Sequence, residues 1–247
     1  MRVAVLGLGE AGGQIAAELV AAGCDVRAWD PARRPEGIAN AASDLEAVRG
    51  ADVVLSLTTA AHALEAARRV AGELAEHALF ADLNTAAPQL KRDLAAALPV
   101  CFADVALTGV VPGHGLAIPA LASGAGAERF AELFRPLGMP VEVVGERPGD
   151  AAGLKLVRSV FMKGIAAAAI ESIEAARVAG VEGHVRADIA GVLGEPLLER
   201  LLSGSRTHAA RRVDEMRAAA AYVEELGVEP RVATAAAEWL EQLRDET

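Results

Sequence analysis

The chain has 247 residues, 53% of them hydrophobic, 23% charged and 3% aromatic, with a formal net charge of −10. This is the composition of a globular protein, long enough for one large or two modest domains and too apolar for a disordered chain. An acidic chain offers no broad basic field to a nucleic-acid backbone or an anionic membrane, so neither is expected as a partner.

The first thirty residues organise the rest. Arg2 to Leu6 is a short valine-rich run, the pattern of a strand buried on both faces. It leads into Gly7-Leu8-Gly9-Glu10-Ala11-Gly12, a G-x-G-x-x-G, and then into a helical pattern from Gln14 to Ala22 that Gly23 ends. Val26 to Trp29 reads as a second strand closed by Asp30. Gly7 permits the tight turn, Gly9 lets backbone approach a pyrophosphate, and Gly12 lets helix and strand pack closely. The helix N-terminus offers unpaired N–H groups and a partial positive charge to phosphates. Asp30 lies 18 residues beyond Gly12, where a carboxylate can accept both ribose hydroxyls. These residues predict a dinucleotide site built on Gly7, Leu8, Gly9, Glu10, Ala11, Gly12 and Asp30. Asp30 repels a 2′-phosphate and favours NAD, while Arg33 and Arg34 close behind it keep NADP as the alternative.

Strand and helix then alternate. Ala51 to Leu57 is an apolar strand ending in Thr58-Thr59, and residues 60–74 are helical. Leu79 to Leu83 is a strand ending in Asn84-Thr85, followed by a helix from Pro88 to Ala97. Further strands are expected at 100–107, 116–123 and 141–144, with a loop at 108–115 and a helix at 127–136. This alternation predicts a doubly wound parallel sheet, with Thr58, Thr59, Asn84 and Thr85 at C-terminal strand ends, where open sheets bind ligands. Thr85 serves equally well as a cap for the helix from Pro88.

The texture changes at Glu146-Arg147-Pro148-Gly149. Beyond it lies one long helix, from Asp150 to about Ala179, and then shorter ones near 183–193, 195–202, 206–226 and 230–244. The expected fold is therefore α/β: a doubly wound Rossmann sheet over residues 1–148 and an all-α domain over residues 149–247, joined by a long helix. Cys24 and Cys101 match no metal or redox spacing and read as small buried hydrophobes of a reducing compartment. A core strand at the very start leaves no room for a signal peptide, and no apolar run is long enough to span a membrane. A cytoplasmic location is expected.

Four motifs in order resemble the β-hydroxyacid dehydrogenase family, which includes 3-hydroxyisobutyrate and 6-phosphogluconate dehydrogenases. GLGEAGG (7–13) resembles its G-L-G-x-M-G opening, and DLNTAAP (82–88) its D-x-S-T-x-x-P strand end. DVALTG (104–109) is similar to its D-A-P-V-S-G substrate loop, and GDAAGLKLVRS (149–159) to its G-x-G-x-x-x-K-x-x-x-N helix. The C-terminal helices resemble the small helical domain of a phosphogluconate-dehydrogenase-like subgroup. Three positions depart from the pattern: Ala151 replaces a glycine, Thr108 a serine and Ser159 an asparagine.

The resemblance implies an NAD(P)-dependent oxidoreductase that passes a hydride between nicotinamide and a small β-hydroxy acid or related anionic alcohol. Lys155 would move the hydroxyl proton, which requires its pKa to be lowered by burial or a cationic neighbour. Lys91, Lys155 and Lys163 are the only lysines in an arginine-rich chain, a weak sign that lysine chemistry is needed. Ser159 falls on the same helical face as Lys155, four residues on, where it can join the catalysis by hydrogen-bonding the substrate or orienting the amine. Lys163 falls eight residues on, about 80° round the helix. Thr108 and Gly109 would face the substrate carboxylate, with Lys163, His208 and Arg212 as further anion contacts. For His208 and Arg212 the other reading is a solvated, salt-bridged helix face, since Asp214 and Glu215 lie nearby. No metal-ligand spacing is present. So small a second domain predicts a homodimer through the C-terminal helices. Two alternatives stay open: an NADPH-dependent imine or aldehyde reductase, and a non-catalytic NAD(H) sensor.

Overall fold

The apolar runs of the N-terminal half pair as the centre of one eight-stranded sheet in the computed structural model, which describes residues 1–109, 111 and 113–245. Packing divides the chain into two units, Met1–Lys155 and Leu156–Thr247. The first unit runs β1 (Arg2–Leu6), α1 (Glu10–Ala21), β2 (Asp25–Trp29), β3 (Ala39–Asn40), α2 (Asp44–Val48), β4 (Val53–Ser56) and α3 (Ala60–Val70). It continues through β5 (Leu79–Asp82), α4 (Pro88–Ala97), β6 (Cys101–Leu107), β7 (Ala120–Ser123), α5 (Ala127–Phe134) and β8 (Val141–Gly145). Across the sheet the order is β3-β2-β1-β4-β5-β6-β7-β8. The chain winds outward from β1 to β3 and returns to β4, so the topological switch point lies between β1 and β4.

Alternate residues of each central strand feed two cores. Val3, Val5, Val53, Leu55 and Leu79 pack with Ile15 and Leu19 of α1 and with Phe130 and Phe134 of α5. Ala4, Leu6, Val54 and Phe80 pack with Ala63 and Ala67 of α3 and Leu94 of α4. Helices on both faces make the sheet doubly wound.

Beyond small shifts of helix ends, three details differ from the sequence expectation. Helix α1 begins at Glu10 rather than Gln14, because Gly12 and Gly13 weaken the helical signal without preventing the helix. The strand expected at 116–123 shortens to β7 and pairs antiparallel with β6. A hairpin closed by Thr108 N–H donating to Pro119 O, 2.9 Å, replaces the crossover helix that a parallel pair would need. The two-residue strand β3 carries too little pattern to be anticipated.

The second unit is helical. Helix α6 (Asp150–Val178) enters it without a break, about 43 Å long at 1.5 Å per residue. It is followed by α7 (Glu182–Leu193), α8 (Glu195–Thr207), α9 (Ala209–Glu225) and α10 (Arg231–Asp245). Leu156, Val213, Met216, Ala219, Ala236 and Leu240 form its main core.

The most consequential buried group in the first unit is ionic. Lys91 of α4 is fully buried, and its Nζ lies 2.6 Å from Asp82 Oδ2 and 3.2 Å from Asp104 Oδ1. Burial alone would push the Lys91 pKa down, but the two carboxylates outweigh it and hold the ammonium above the ordinary lysine value. The other oxygen of Asp104 accepts from Gly149 N, Ala152 N and Ser123 Oγ at 3.0–3.1 Å. Asp104 thus caps α6 from the middle of the sheet, with Ser123 Oγ accepting from Ala151 N at 2.9 Å. Gly149 makes the approach possible. It has φ +100°, and a Cβ there would lie 2.8 Å from the Pro88 carbonyl. Lys91→Met leaves two buried carboxylates without a counter-charge, and urea unfolding of the first unit should show a loss of about 3–5 kcal/mol.

Candidate functional site

The glycine loop brings turn, strand and helix N-terminus close together. Gly7 takes φ +95°, and a Cβ there would lie 2.4 Å from Leu57 O; one on Gly12 would lie 2.0 Å from Gly7 O. Both must therefore be glycine for turn, helix and strand to meet. Gly9 differs. It is the N-cap of α1, and a Cβ there would meet nothing within 4 Å. The open space in front of this helix N-terminus is where backbone N–H groups can receive an anion. Glu10 and Ala11 form the first turn beside it.

Asp30 ties the loop to the end of β2. Its Oδ2 accepts from Leu8 N at 2.8 Å, and its Oδ1 accepts from Ala32 N and Arg33 N at 2.8 and 3.0 Å. Burial raises its pKa, but these three donors and the Arg33 charge prevail and hold it below the ordinary carboxylate range. Oδ2, with a single donor, keeps lone-pair capacity for a ribose hydroxyl. Arg33 Nη1 reaches back to Leu8 O at 3.4 Å, and Arg34 folds onto the Asp30 and Arg33 carbonyls.

From the cradle, the strand ends form a continuous polar edge. Leu6, Ser56 and Asp82 are register partners across β1, β4 and β5. Asn84 is buried, and its Nδ2 donates to Asp82 Oδ1 at 2.6 Å, Ser56 Oγ at 3.1 Å and Thr58 Oγ1 at 3.3 Å. Thr59 Oγ1 is 2.8 Å from His62 Nδ1. Next in line, Thr85 Oγ1 accepts from Lys155 Nζ at 2.7 Å. Two strand spacings, about 10 Å, separate β5, which leads to Thr85, from β1, which leads to the glycine turn. Thr108, at the end of β6, donates its hydroxyl to Pro119 O at 3.1 Å, and Gly109 is exposed after it.

The remaining candidates lie in the second unit. Ser159 is buried, and its Oγ donates to Glu215 Oε1 at 2.5 Å. Lys163 Nζ donates to the same oxygen at 3.0 Å and to Ser159 Oγ at 3.2 Å. Burial lowers the Lys163 pKa; Glu215 offsets this in part, while Arg212 and Arg211 push it further down. Arg212 donates to Ser205 Oγ at 3.1 Å, and burial lowers its pKa too. His208 sits at the junction of α8 and α9, its N–H on Gly204 O at 3.3 Å. Glu215, expected on a solvated face, is buried instead.

Residues 2–134 match the family described as the NAD binding domain of 6-phosphogluconate dehydrogenase. The chain belongs to this family. Residues 176–243 match a domain of unknown function, DUF1932. An uncharacterised 28.5 kDa protein of Methanothermus fervidus is 26% identical over 173 residues, which span 68% of this chain and 66% of that protein. A conserved hypothetical protein of Sinorhizobium meliloti is 32% identical, with 98% of this chain and 87% of that one covered and a TM-score of 0.79. The 3-hydroxyisobutyrate dehydrogenase of Mycobacterium tuberculosis, solved with L-serine, shares the fold with a TM-score of 0.84 at 21% identity over 99% and 94% of the two chains.

The cradle fits the family's dinucleotide. Gly7 to Gly12 would hold the pyrophosphate and Asp30 the adenosine ribose, with Thr58 and Asn84 along the edge beyond, while Thr85 is engaged by the Lys155 amine. Among the described residues no three His, Cys, Asp or Glu side chains are grouped to hold a metal, and no helix is long and apolar enough to cross a membrane. No motif marks the Lys91–Asp82–Asp104 group in the sequence. The available signal was a carboxylate within each of two apolar strands that leave no solvent for it. The contrast between two glycines checks the cradle. Gly9→Ala should fold normally but bind NADH at least tenfold more weakly by fluorescence titration, whereas Gly12→Ala should also lower the melting temperature.

Proposed function

We propose that the protein is a cytoplasmic NAD(P)-dependent dehydrogenase of a small β-hydroxy acid or related anionic alcohol, with Lys155 as general acid and base. The observation that carries this reading is the Lys155 amine held on Thr85, at a strand end in line with the dinucleotide cradle. Nicotinamide, when bound, supplies the hydride acceptor. The chain's own groups then have one main task, which is to remove the proton from the carbinol oxygen as its carbon loses hydride. A neutral Lys155 amine takes that proton and, as the ammonium, returns it in the reverse reaction. Thr108 and Gly109, at the end of β6, offer hydrogen-bonding groups to a carboxylate. Within the second unit, Lys163, His208 and Arg212 are the proposed anion contacts, and Ser159 hydrogen-bonds both Lys163 and Glu215.

Asp30 favours NAD, because its acceptor-only carboxylate suits ribose hydroxyls and opposes a 2′-phosphate. Arg33 and Arg34 keep NADP as the second cofactor. The second unit carries an apolar groove of about 540 Å³ lined by Val157, Phe161, Ile165, Leu226 and Val228, with Phe161 66% exposed. An exposed apolar groove of this kind supports a homodimer through the C-terminal helices.

A screen of 3-hydroxy acids and sugar acids with NAD and NADP, followed by nicotinamide absorbance, should find turnover. In Lys155→Met that turnover should fall about 10²–10⁴-fold while NADH still binds. A variant that keeps most of its turnover at every pH contradicts the assignment. Phe161→Arg should convert a dimer to a monomer in light scattering.

A further inference from the structure

We propose that Thr85 is the positioning residue for the Lys155 amine, an inference that rests on the dehydrogenase reading above. Its hydroxyl has two other roles open to it, and the structure removes one. The N-cap of α4 is Ala87, with no side-chain cap hydrogen bond, so Thr85 does not cap that helix. Instead Thr85 Oγ1 accepts from Lys155 Nζ at 2.7 Å, across seventy positions of sequence.

Both ends of this contact hang from the same buried ionic group. Thr85 follows Asp82 and Asn84, which are joined at 2.6 Å, and Asp82 is held by Lys91. Lys155 stands three residues beyond Ala152, whose N–H is on Asp104. Threonine is β-branched and stiff at χ1, so its oxygen is a fixed acceptor, whereas a lysine carries four rotatable bonds. The stiff partner therefore sets the position of the flexible one. Holding a general base in one place is worth rate directly, because a misplaced reacting group loses it steeply.

The experiment uses the full chain labelled with ¹³C-lysine. Its three lysines give three Cε signals, and Lys155→Arg assigns the one of interest. In the cofactor-free protein, Thr85→Val should shift the Lys155 signal and leave those of Lys91 and Lys163 in place, and Thr85→Ser should restore it. With a substrate in hand, kcat should fall about tenfold or more in the valine variant while NADH affinity changes less than about twofold. An unmoved Lys155 signal, or a loss of NADH affinity matching the loss of kcat, overturns the proposal and makes Thr85 a cofactor contact. Because the spectrum needs no turnover, a shifted signal in a protein inert toward every alcohol overturns the dehydrogenase reading and leaves the Thr85 contact standing.

Discussion

Two carboxylates and one ammonium are buried together at Lys91, Asp82 and Asp104, which leaves one negative charge in excess inside the first unit. The excess is met by the first turn of α6, through the N–H groups of Gly149 and Ala152, and by the Ser123 hydroxyl. A helix N-terminus carries a partial positive charge, so the sheet binds α6 electrostatically as well as by packing. The dependence runs both ways. Without that turn Asp104 would be a buried anion short of partners, and without Asp104 the helix would start on unsatisfied donors.

This constraint positions the residues of the proposed chemistry. The same ionic group fixes the ends of β5 and the start of α6, and those are the two segments that carry Thr85 and Lys155. Along the sheet edge, hydrogen bonds then link Asp82, Asn84 and Thr58 back to the strand beside the glycine turn. One rigid edge thus holds a phosphate cradle at one end and an amine at the other. That arrangement suits a reaction in which a nucleotide ring and a proton carrier must meet the same carbon.

Local rules made much of this legible in the sequence. The glycine spacing, the acid closing β2 and the run of apolar strands each follow from short-range backbone demands, and they located the cradle, the sheet and the long helix. Lys155 was visible because the residues around it keep a recognisable spacing. What escaped depends on partners far apart in the chain. Nothing near Lys91 announces that it will meet carboxylates from β5 and β6. Glu215 looks like any solvated helix charge until Ser159 and Lys163, more than fifty residues earlier, are brought to it. The antiparallel β7 escaped for a similar reason, since strand direction is set by its connection and not by its own residues. Likewise, only the fold shows that the Ser159 hydroxyl donates to Glu215 and that Thr85 accepts from the Lys155 amine.

The most direct measurement of the central claim is a crystal structure of the protein with bound NAD and a substrate-like hydroxy acid. The account predicts the pyrophosphate at Gly9, and the Lys155 amine on the ligand's hydroxyl with Thr85 still beside it. Density showing the amine turned to solvent, with the hydroxyl bound by some other group, would contradict it.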